Sequence, residues 1–111
     1  FLILVEGYFD VLTLFSNGIT NTISTLGTTI SIEQLNIIFK YTNELFFCYD
    51  GDTTGTSNSL RNIAKIINLY KLKGKKIKNI KLPNKTDPDS YVTLNGVKNF
   101  KKLIEDTPYI V

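Results

Sequence analysis

Residues 45–52 read Leu-Phe-Phe-Cys-Tyr-Asp-Gly-Asp, a run of apolar side chains that ends in two acids around a glycine. A short run that is apolar throughout is typical of a strand covered on both faces, as in a parallel sheet. Residues 1–5, Phe-Leu-Ile-Leu-Val, have the same character and lead directly into Glu6 and Gly7. Two such strands, each followed by an acid, predict a parallel sheet with acidic side chains along one edge.

Helices are predicted to alternate with strands along the rest of the chain. Apolar side chains recur at helical spacing from Tyr8, and Ser31-Ile-Glu-Gln34 is a capping box that opens a second helix. The predicted inner face of this helix consists of Ile32, Leu35, Ile38 and Phe39. The predicted strands cover residues 1–5, 21–26, 45–49 and 76–82, and the predicted helices begin near residues 8, 31, 53, 87 and 97. This order predicts an α/β fold, a four-stranded parallel sheet with helices on both faces. We favour the strand order 2-1-3-4, because it makes strands one and three neighbours and leaves the lysine-rich fourth strand at an edge.

The composition is that of one ordinary globular domain. The chain has 111 residues, of which 42% are apolar and 21% charged, values that argue against intrinsic disorder. The single cysteine excludes a disulfide framework, and the absence of histidine excludes a histidine metal site or general base. The apolar runs are too short to span a bilayer, so no membrane association is expected. Because the chain opens at Phe1 and contains no methionine, we expect a fragment of a longer protein.

Acidic residues follow three of the predicted strands. Glu6 follows the first strand, Asp50 and Asp52 follow the third, and Asp87 and Asp89 follow the fourth after a short loop. The carboxyl ends of parallel strands share one edge, where neighbours lie about 4.8 Å apart, so carboxylates there can share a metal ion. Ligands that are all oxygen favour Mg²⁺, Mn²⁺ or Ca²⁺ over zinc. The pattern predicts a divalent-cation site at this edge.

Each of these acids also has a structural explanation. Asp50-Gly51 fits a turn, Asp87 fits a helix N-cap and Asp10 fits the first turn of a helix. Glu6 on its own fits a solvated loop charge. The structural explanation is sufficient for each acid taken singly, whereas three acidic loops at three strand ends favour a shared site.

Other residues near these loops have two interpretations each. Seven of the twelve lysines lie between residues 71 and 85, and Arg61 is the only arginine. Solvated charges at a helix end and on an edge strand explain this distribution, and phosphate contacts from Arg61, Lys81 and Lys85 are the alternative. Glycines at 7, 51 and 55 allow tight turns and close approach of phosphates. Cys48, within an apolar strand, is predicted to be inert core.

Four stretches form a recognisable set: residues 5–11 (VEGYFDV), 25–28 (TLGT), 48–55 (CYDGDTTG) and 82–89 (LPNKTDPD). They resemble, in order and spacing, the EGYxDV motif, the second conserved turn, the DGDxAG motif and the LPxGxDPD stretch of the TOPRIM domain in bacterial DnaG-type primases. Thr53 and Thr56 depart from the family, which commonly carries basic residues there. That departure weakens the expectation of nucleotide-phosphate contacts from this loop.

The resemblance implies a Rossmann-like TOPRIM domain over residues 1–111, with the helices from about residue 88 onward as candidates for the next subdomain. It implies a DNA-directed RNA polymerase that makes short RNA primers on a single-stranded DNA template from ribonucleoside triphosphates. Glu6, Asp50 and Asp52 would be the catalytic ligands of two Mg²⁺ or Mn²⁺ ions. Asp10, Asp87 and Asp89 would be outer-shell or additional ligands, with Gly7, Gly51 and Gly55 in support.

The same resemblance implies a place in the bacterial cytoplasm, at the replication fork. Zinc would belong to a domain absent from this chain, and the replicative helicase would dock on regions that are also absent. We therefore expect the chain alone to be inactive in primer synthesis.

Three other classes of function stay open at this stage. Nucleases and topoisomerases also contain TOPRIM domains, although topoisomerases usually carry a further acid where this chain has Thr53 and Thr54. Receiver domains place acids after their first and third strands, but they normally have an acid pair after the first strand and a lysine after a fifth. An interaction domain, in which the acids only solvate a surface, is the remaining alternative.

Overall fold

A parallel sheet forms the centre of the described part of the chain. The computed structural model describes residues 1–26, 30–51 and 74–110. In these ranges the strands are β1 (Leu2–Val5), β2 (Thr22–Ser24), β3 (Glu44–Phe47) and β4 (Lys76–Asn79). The helices are α1 (Tyr8–Ser16), α2 (Ile32–Tyr41), α3 (Pro88–Asn95) and α4 (Val97–Asp106). The predicted helix over residues 53–72, together with Asp52, Gly55 and Arg61, lies outside the described residues.

The sheet has the strand order β2-β1-β3-β4, and each adjacent pair is parallel. This confirms the predicted order 2-1-3-4. Leu4 on β1 stands opposite Ile23 on β2 and opposite Phe47 on β3. Because β1 and β3 are neighbours with the same direction, the residues that follow them emerge side by side at one edge of the sheet.

Both faces of the sheet are buried, as the apolar runs predict. On one face Leu4 and Phe47 pack with α2, and on the other Ile3 and Phe46 pack with α1, α3 and α4. Cys48 is fully buried on the second face, and this burial raises the pKa of its thiol far above the usual value. The prediction of an inert core cysteine is confirmed. Each helix in the described ranges falls short of the length and hydrophobicity that a membrane span needs.

The start of α2 follows the predicted capping box. The hydroxyl of Ser31 accepts the N–H of Gln34 at 3.1 Å, and the Gln34 side-chain oxygen accepts the N–H of Ser31 at 2.8 Å. Leu35 and Phe39 are buried on the sheet side of this helix, whereas Ile32 is exposed, so its predicted place on the inner face is wrong. Ile32 occupies the first helical position, directly after the N-cap Ser31.

Lys78 is not the solvated charge that the lysine-rich stretch predicts. Its side chain is only 6% exposed, and its ammonium group donates to the carbonyl of Ile104 at 2.8 Å. The same nitrogen lies 5.0 Å from the ring centroid of Phe46 and 4.8 Å from that of Tyr109. The Lys78 ammonium group thus binds a carbonyl in the last turn of α4. The negative end of the helix dipole attracts a cation at this place.

The outer edge of β4 is covered by the chain's own C-terminal segment. Tyr109 forms an antiparallel bridge with Lys78, and the N–H of Ile110 donates to the carbonyl of Ile77 at 2.8 Å. The Tyr109 hydroxyl donates to the Glu44 carboxylate, a hydrogen bond that raises the pKa of the tyrosine. Backbone pairing, rather than lysine charge alone, therefore protects this edge.

Replacement of Lys78 tests whether this contact stabilises the fold. Lys78→Ala removes the buried stem and the bond to Ile104, and we expect the free energy of unfolding to fall by about 2 kcal/mol. Lys78→Met keeps most of the stem and should lose about half as much. Lys76→Met, on the same strand but exposed, should stay within about 0.5 kcal/mol of wild type. Urea melts of the three variants measure this, and equal midpoints for Lys78→Ala and Lys76→Met would contradict it.

Candidate functional site

An acidic cleft opens where β1 and β3 end. Its volume is about 520 Å³. The residues that line it are Glu6, Gly7, Tyr8, Phe9, Asp10, Leu26, Asp50, Asp87 and Asp89. The acids predicted from separate stretches of sequence, as far as the structure describes them, therefore line one cavity. Lys81 and Lys85 are exposed and do not line it.

Glu6 links the ends of the two central strands. Its Oε1 atom accepts the backbone N–H of Asp50 at 3.1 Å. Its carbonyl oxygen accepts the hydroxyl of Ser24 at 2.7 Å, and this hydroxyl in turn accepts the N–H of Leu26 at 2.9 Å. The Glu6 side chain is thereby fixed above the end of β3 rather than free in solvent. Glu6 is therefore more than a solvated charge in a loop.

Gly51 lets two loops come into direct contact. Its N–H donates to the carbonyl of Thr86 at 2.8 Å, and its carbonyl accepts the N–H of Lys85 at 3.2 Å. A Cβ atom at this position would lie 2.0 Å from the carbonyl oxygen of Pro83, so no other residue fits without moving the loop. Here the close neighbour that requires glycine is the backbone of residues 83–86. This contact places the acids that begin α3 beside those that follow β3.

Asp10 joins the start of α1 to the start of α3. Its Oδ1 atom accepts the N–H of Asp89 at 3.0 Å and its Oδ2 atom accepts the N–H of Gly7 at 3.2 Å. The side chain is 5% exposed. Burial raises the pKa of the carboxyl, and the charges of Asp87 and Asp89 act in the same direction, while the two N–H groups oppose them. Asp10 is therefore a buried acceptor between two helices.

The two acids at the start of α3 have different partners. Asp87 is the N-cap, and its Oδ1 atom accepts the N–H of Ser90 at 2.7 Å while Pro88 occupies the first turn. The predicted capping role is thus confirmed, although the side chain also lines the cleft. Asp89 accepts the hydroxyl of Thr13 from α1. Both carboxylates lie at the N-terminal end of α3, where the helix dipole attracts negative charge.

The chemistry of the cleft follows from its donors. Carboxylate oxygens suit a hard divalent cation such as Mg²⁺ or Mn²⁺. Within residues 1–26, 30–51 and 74–110, no three acidic or cysteine side chains converge into a finished metal cage. Asp52, predicted as a ligand beside Asp50, lies outside these ranges, as do Gly55 and Arg61.

Three features in the cleft or beside it were not predicted from the sequence. Tyr8 is 60% exposed and Phe9 is 73% exposed on the wall of the cleft, with ring centroids 6.0 Å apart. Leu26, also on the wall, has a left-handed backbone with φ of 54°. Thr13, outside the cleft lining, reaches Asp89 from α1. Tyr8, Phe9 and Leu26 fall within the motif stretches 5–11 and 25–28. Thr13 lies three residues after Asp10 and so shares its helix face.

Comparison with known proteins gives a consistent family. The Toprim-like family model matches residues 3–92. The DNA primase of Buchnera aphidicola subsp. Baizongia pistaciae is 46% identical over 105 residues, which is 94% of this chain and 18% of the relative. A crystal structure of a DNA primase domain from Pseudomonas aeruginosa superposes with a TM-score of 0.88 at 36% identity, over 96% of this chain and 33% of that one.

A further solved structure, a DnaG primase catalytic domain bound to single-stranded DNA, has a TM-score of 0.87 at 30% identity. The match covers 97% of this chain and 34% of the solved chain. The chain thus spans less than one fifth of the Buchnera relative and about one third of these solved domains. The matches cover the sheet, the cleft and nearly all of the described helices.

Substitutions at Asp87 test whether its side chain stabilises α3 as an N-cap. Asp87→Ala removes the acceptor for Ser90 and should lower the free energy of unfolding of the metal-free chain by about 1 kcal/mol. Asp87→Ser supplies another capping oxygen and should stay within a few tenths of a kcal/mol of wild type. Denaturant melts in chelator provide the measurement. Equal destabilisation by serine and alanine would show that the cap is not what stabilises this end of α3.

Proposed function

This chain belongs to the Toprim-like family, and on that premise we propose that it is the TOPRIM domain of a bacterial DnaG-type DNA primase. Its role would be to hold the divalent cations for metal-dependent synthesis of short RNA primers. The observation that carries the proposal is the meeting of Glu6 and Asp50 at the ends of neighbouring parallel strands, with Oε1 of Glu6 bound to the N–H of Asp50 at 3.1 Å. Similarity to DNA primases over nearly the whole chain supports the same assignment.

The cation would be held by Glu6, Asp50 and Asp52, with Asp87 and Asp89 as further ligands. The all-oxygen donor set fits Mg²⁺ or Mn²⁺, and we propose two ions, as the family resemblance implies. Such ions, when bound, lower the pKa of an attacking 3′-hydroxyl and neutralise charge on the phosphates of the incoming nucleotide. Asp10 would act through the backbone, because both of its oxygens already accept N–H groups.

The chain's own residues set the geometry around the nucleotide. Glu6 is fixed against the end of β3, and Gly51 brings the residues before α3 into contact with that end. These contacts hold carboxylates from β1, β3 and α3 around one cleft before any ligand arrives. Carboxylates fixed in this way would hold their cations without rearrangement during the reaction. The chain has no histidine to act as a general base, so deprotonation of the 3′-hydroxyl would rely on the bound ions.

We propose single-stranded DNA as the template and ribonucleoside triphosphates as substrates. The related catalytic domain bound to single-stranded DNA supports the first of these. The exposed rings of Tyr8 and Phe9 at the cleft support the second, since base stacking on an aromatic side chain contributes about 1–3 kcal/mol. Arg61, Lys81 and Lys85 remain candidates for phosphate contacts outside the acidic cleft.

The chain would be one part of a longer primase that acts in the bacterial cytoplasm at the replication fork. Val92 and Phe100 pack in the same core as Ile3, which supports a single domain that includes α3 and α4. Zinc and the replicative helicase would bind regions outside this chain. Primer synthesis requires template, nucleotides and ions in one arrangement, so we propose that residues 1–111 alone do not make primers.

A thermal melt with and without Mn²⁺ tests the metal site. At a Mn²⁺ concentration about 100 times Kd, linkage adds about 2.7 kcal/mol to the free energy of unfolding. For a domain of this size that raises Tm by several degrees. Asp50→Asn removes a proposed ligand and should abolish most of the rise.

The matched control is Asp106→Asn, which removes the same charge at an exposed position outside the cleft. Its Tm should rise with Mn²⁺ as that of wild type does. If wild type and Asp50→Asn gain the same increment, the cation is bound elsewhere. If wild type gains none, the chain lacks the proposed site.

A further inference from the structure

The hydroxyl of Thr13 forms a hydrogen bond with another helix rather than with its own. It donates to Oδ1 of Asp89, which lies 76 residues later in the chain, on the first turn of α3. Threonine and serine in a helix commonly bond back to the carbonyl four residues earlier. Ser16, on the last turn of α1, does so to Leu12 at 2.8 Å. Thr13 therefore makes a contact that the helix itself does not require.

Asp89 is held by α1 at two points. Its N–H donates to Oδ1 of Asp10 at 3.0 Å, and its Oδ1 atom accepts the hydroxyl of Thr13. Asp10 and Thr13 are three residues apart and so lie on the same face of the helix. One bond fixes the backbone of Asp89 and the other fixes its side chain. The carboxylate therefore has a defined orientation, and among residues 1–26, 30–51 and 74–110 its Oδ2 atom accepts no hydrogen bond.

The chemical type of this donor matters for a cation. Asp89 lines the cleft together with Asp10 and Asp87, whose charges repel its own. A lysine or arginine at position 13 would bring a positive charge to the same place and repel a divalent ion. A neutral hydroxyl orients the carboxylate and leaves the negative charge of the cleft intact.

We propose that Thr13 is a positioning residue, which orders the Asp89 carboxylate for a divalent cation in the cleft. This inference rests on the proposed metal-binding function. Groups that orient metal ligands through a hydrogen bond typically change metal affinity 10–100-fold when they are removed. Their effect comes from the ordering of the ligand before the ion arrives.

Mn²⁺ binding to the chain, followed by the electron paramagnetic resonance signal of free Mn²⁺, tests the proposal. Thr13→Val keeps the shape of the side chain without the donor, and we expect about tenfold weaker binding. Thr13→Ser restores the donor and should bind within about twofold of wild type. The matched control is Ser16→Ala, which removes a hydroxyl from the same helix that does not reach Asp89 and should leave the affinity unchanged.

An Asp89→Asn background distinguishes positioning from a general loss of structure. If Thr13 acts through Asp89, adding Thr13→Val to Asp89→Asn causes little further loss of affinity. If Thr13→Val weakens Mn²⁺ binding tenfold in both wild type and Asp89→Asn, or in neither, Thr13 does not act through Asp89. Either result overturns the positioning role and leaves the proposed metal site unaffected. If wild type binds no Mn²⁺, the proposed function fails instead, and the role of Thr13 falls with it.

Discussion

The parallel pairing of β1 with β3 is the constraint on which the rest of the site depends. It places Glu6 and Asp50 at adjacent strand ends, where Oε1 of Glu6 accepts the N–H of Asp50 at 3.1 Å. Apolar side chains on both faces of the two strands bury this pairing between helices. A shift in register of one residue would exchange the two buried faces of β3 and move Phe47 from the core beside α2 to the core on the opposite side of the sheet. The core thus fixes the distance between carboxylates that are 44 residues apart in sequence.

A second set of contacts holds α3 against the ends of β1 and β3. Gly51 pairs with the backbone of residues 85 and 86, and Asp10 accepts the N–H groups of Gly7 and Asp89. The acids of α3 are therefore held by hydrogen bonds to the loop after β3 and to α1. Burial of Asp10 raises its pKa, which shows that the fold tolerates an electrostatic cost at this junction. Such a cost is common where carboxylates are gathered for a cation.

The sequence predicts those parts of the structure that arise from local patterns. Apolar runs before Glu6 and Asp50, and the Ser31 capping box, predict the two central strands, the start of α2 and the acidic edge. The strand order follows from the expectation that the two central strands are neighbours and that the lysine-rich strand lies at an edge. Contacts between distant segments were not predictable in this way. Lys78 is buried because Tyr109 and the end of α4 fold over it. The need for glycine at position 51 comes from Pro83, which no local pattern reveals.

Primer synthesis by the complete protein that contains this chain tests the central claim most directly. The claim is that Glu6 holds the cations for nucleotidyl transfer. We expect Glu6→Gln to reduce Mg²⁺-dependent RNA synthesis on a single-stranded template by about 100-fold or more, beyond the loss typical of an outer-shell group. Asp106→Asn, exposed and away from the cleft, should retain wild-type synthesis. Wild-type yields of primer from Glu6→Gln would contradict the account.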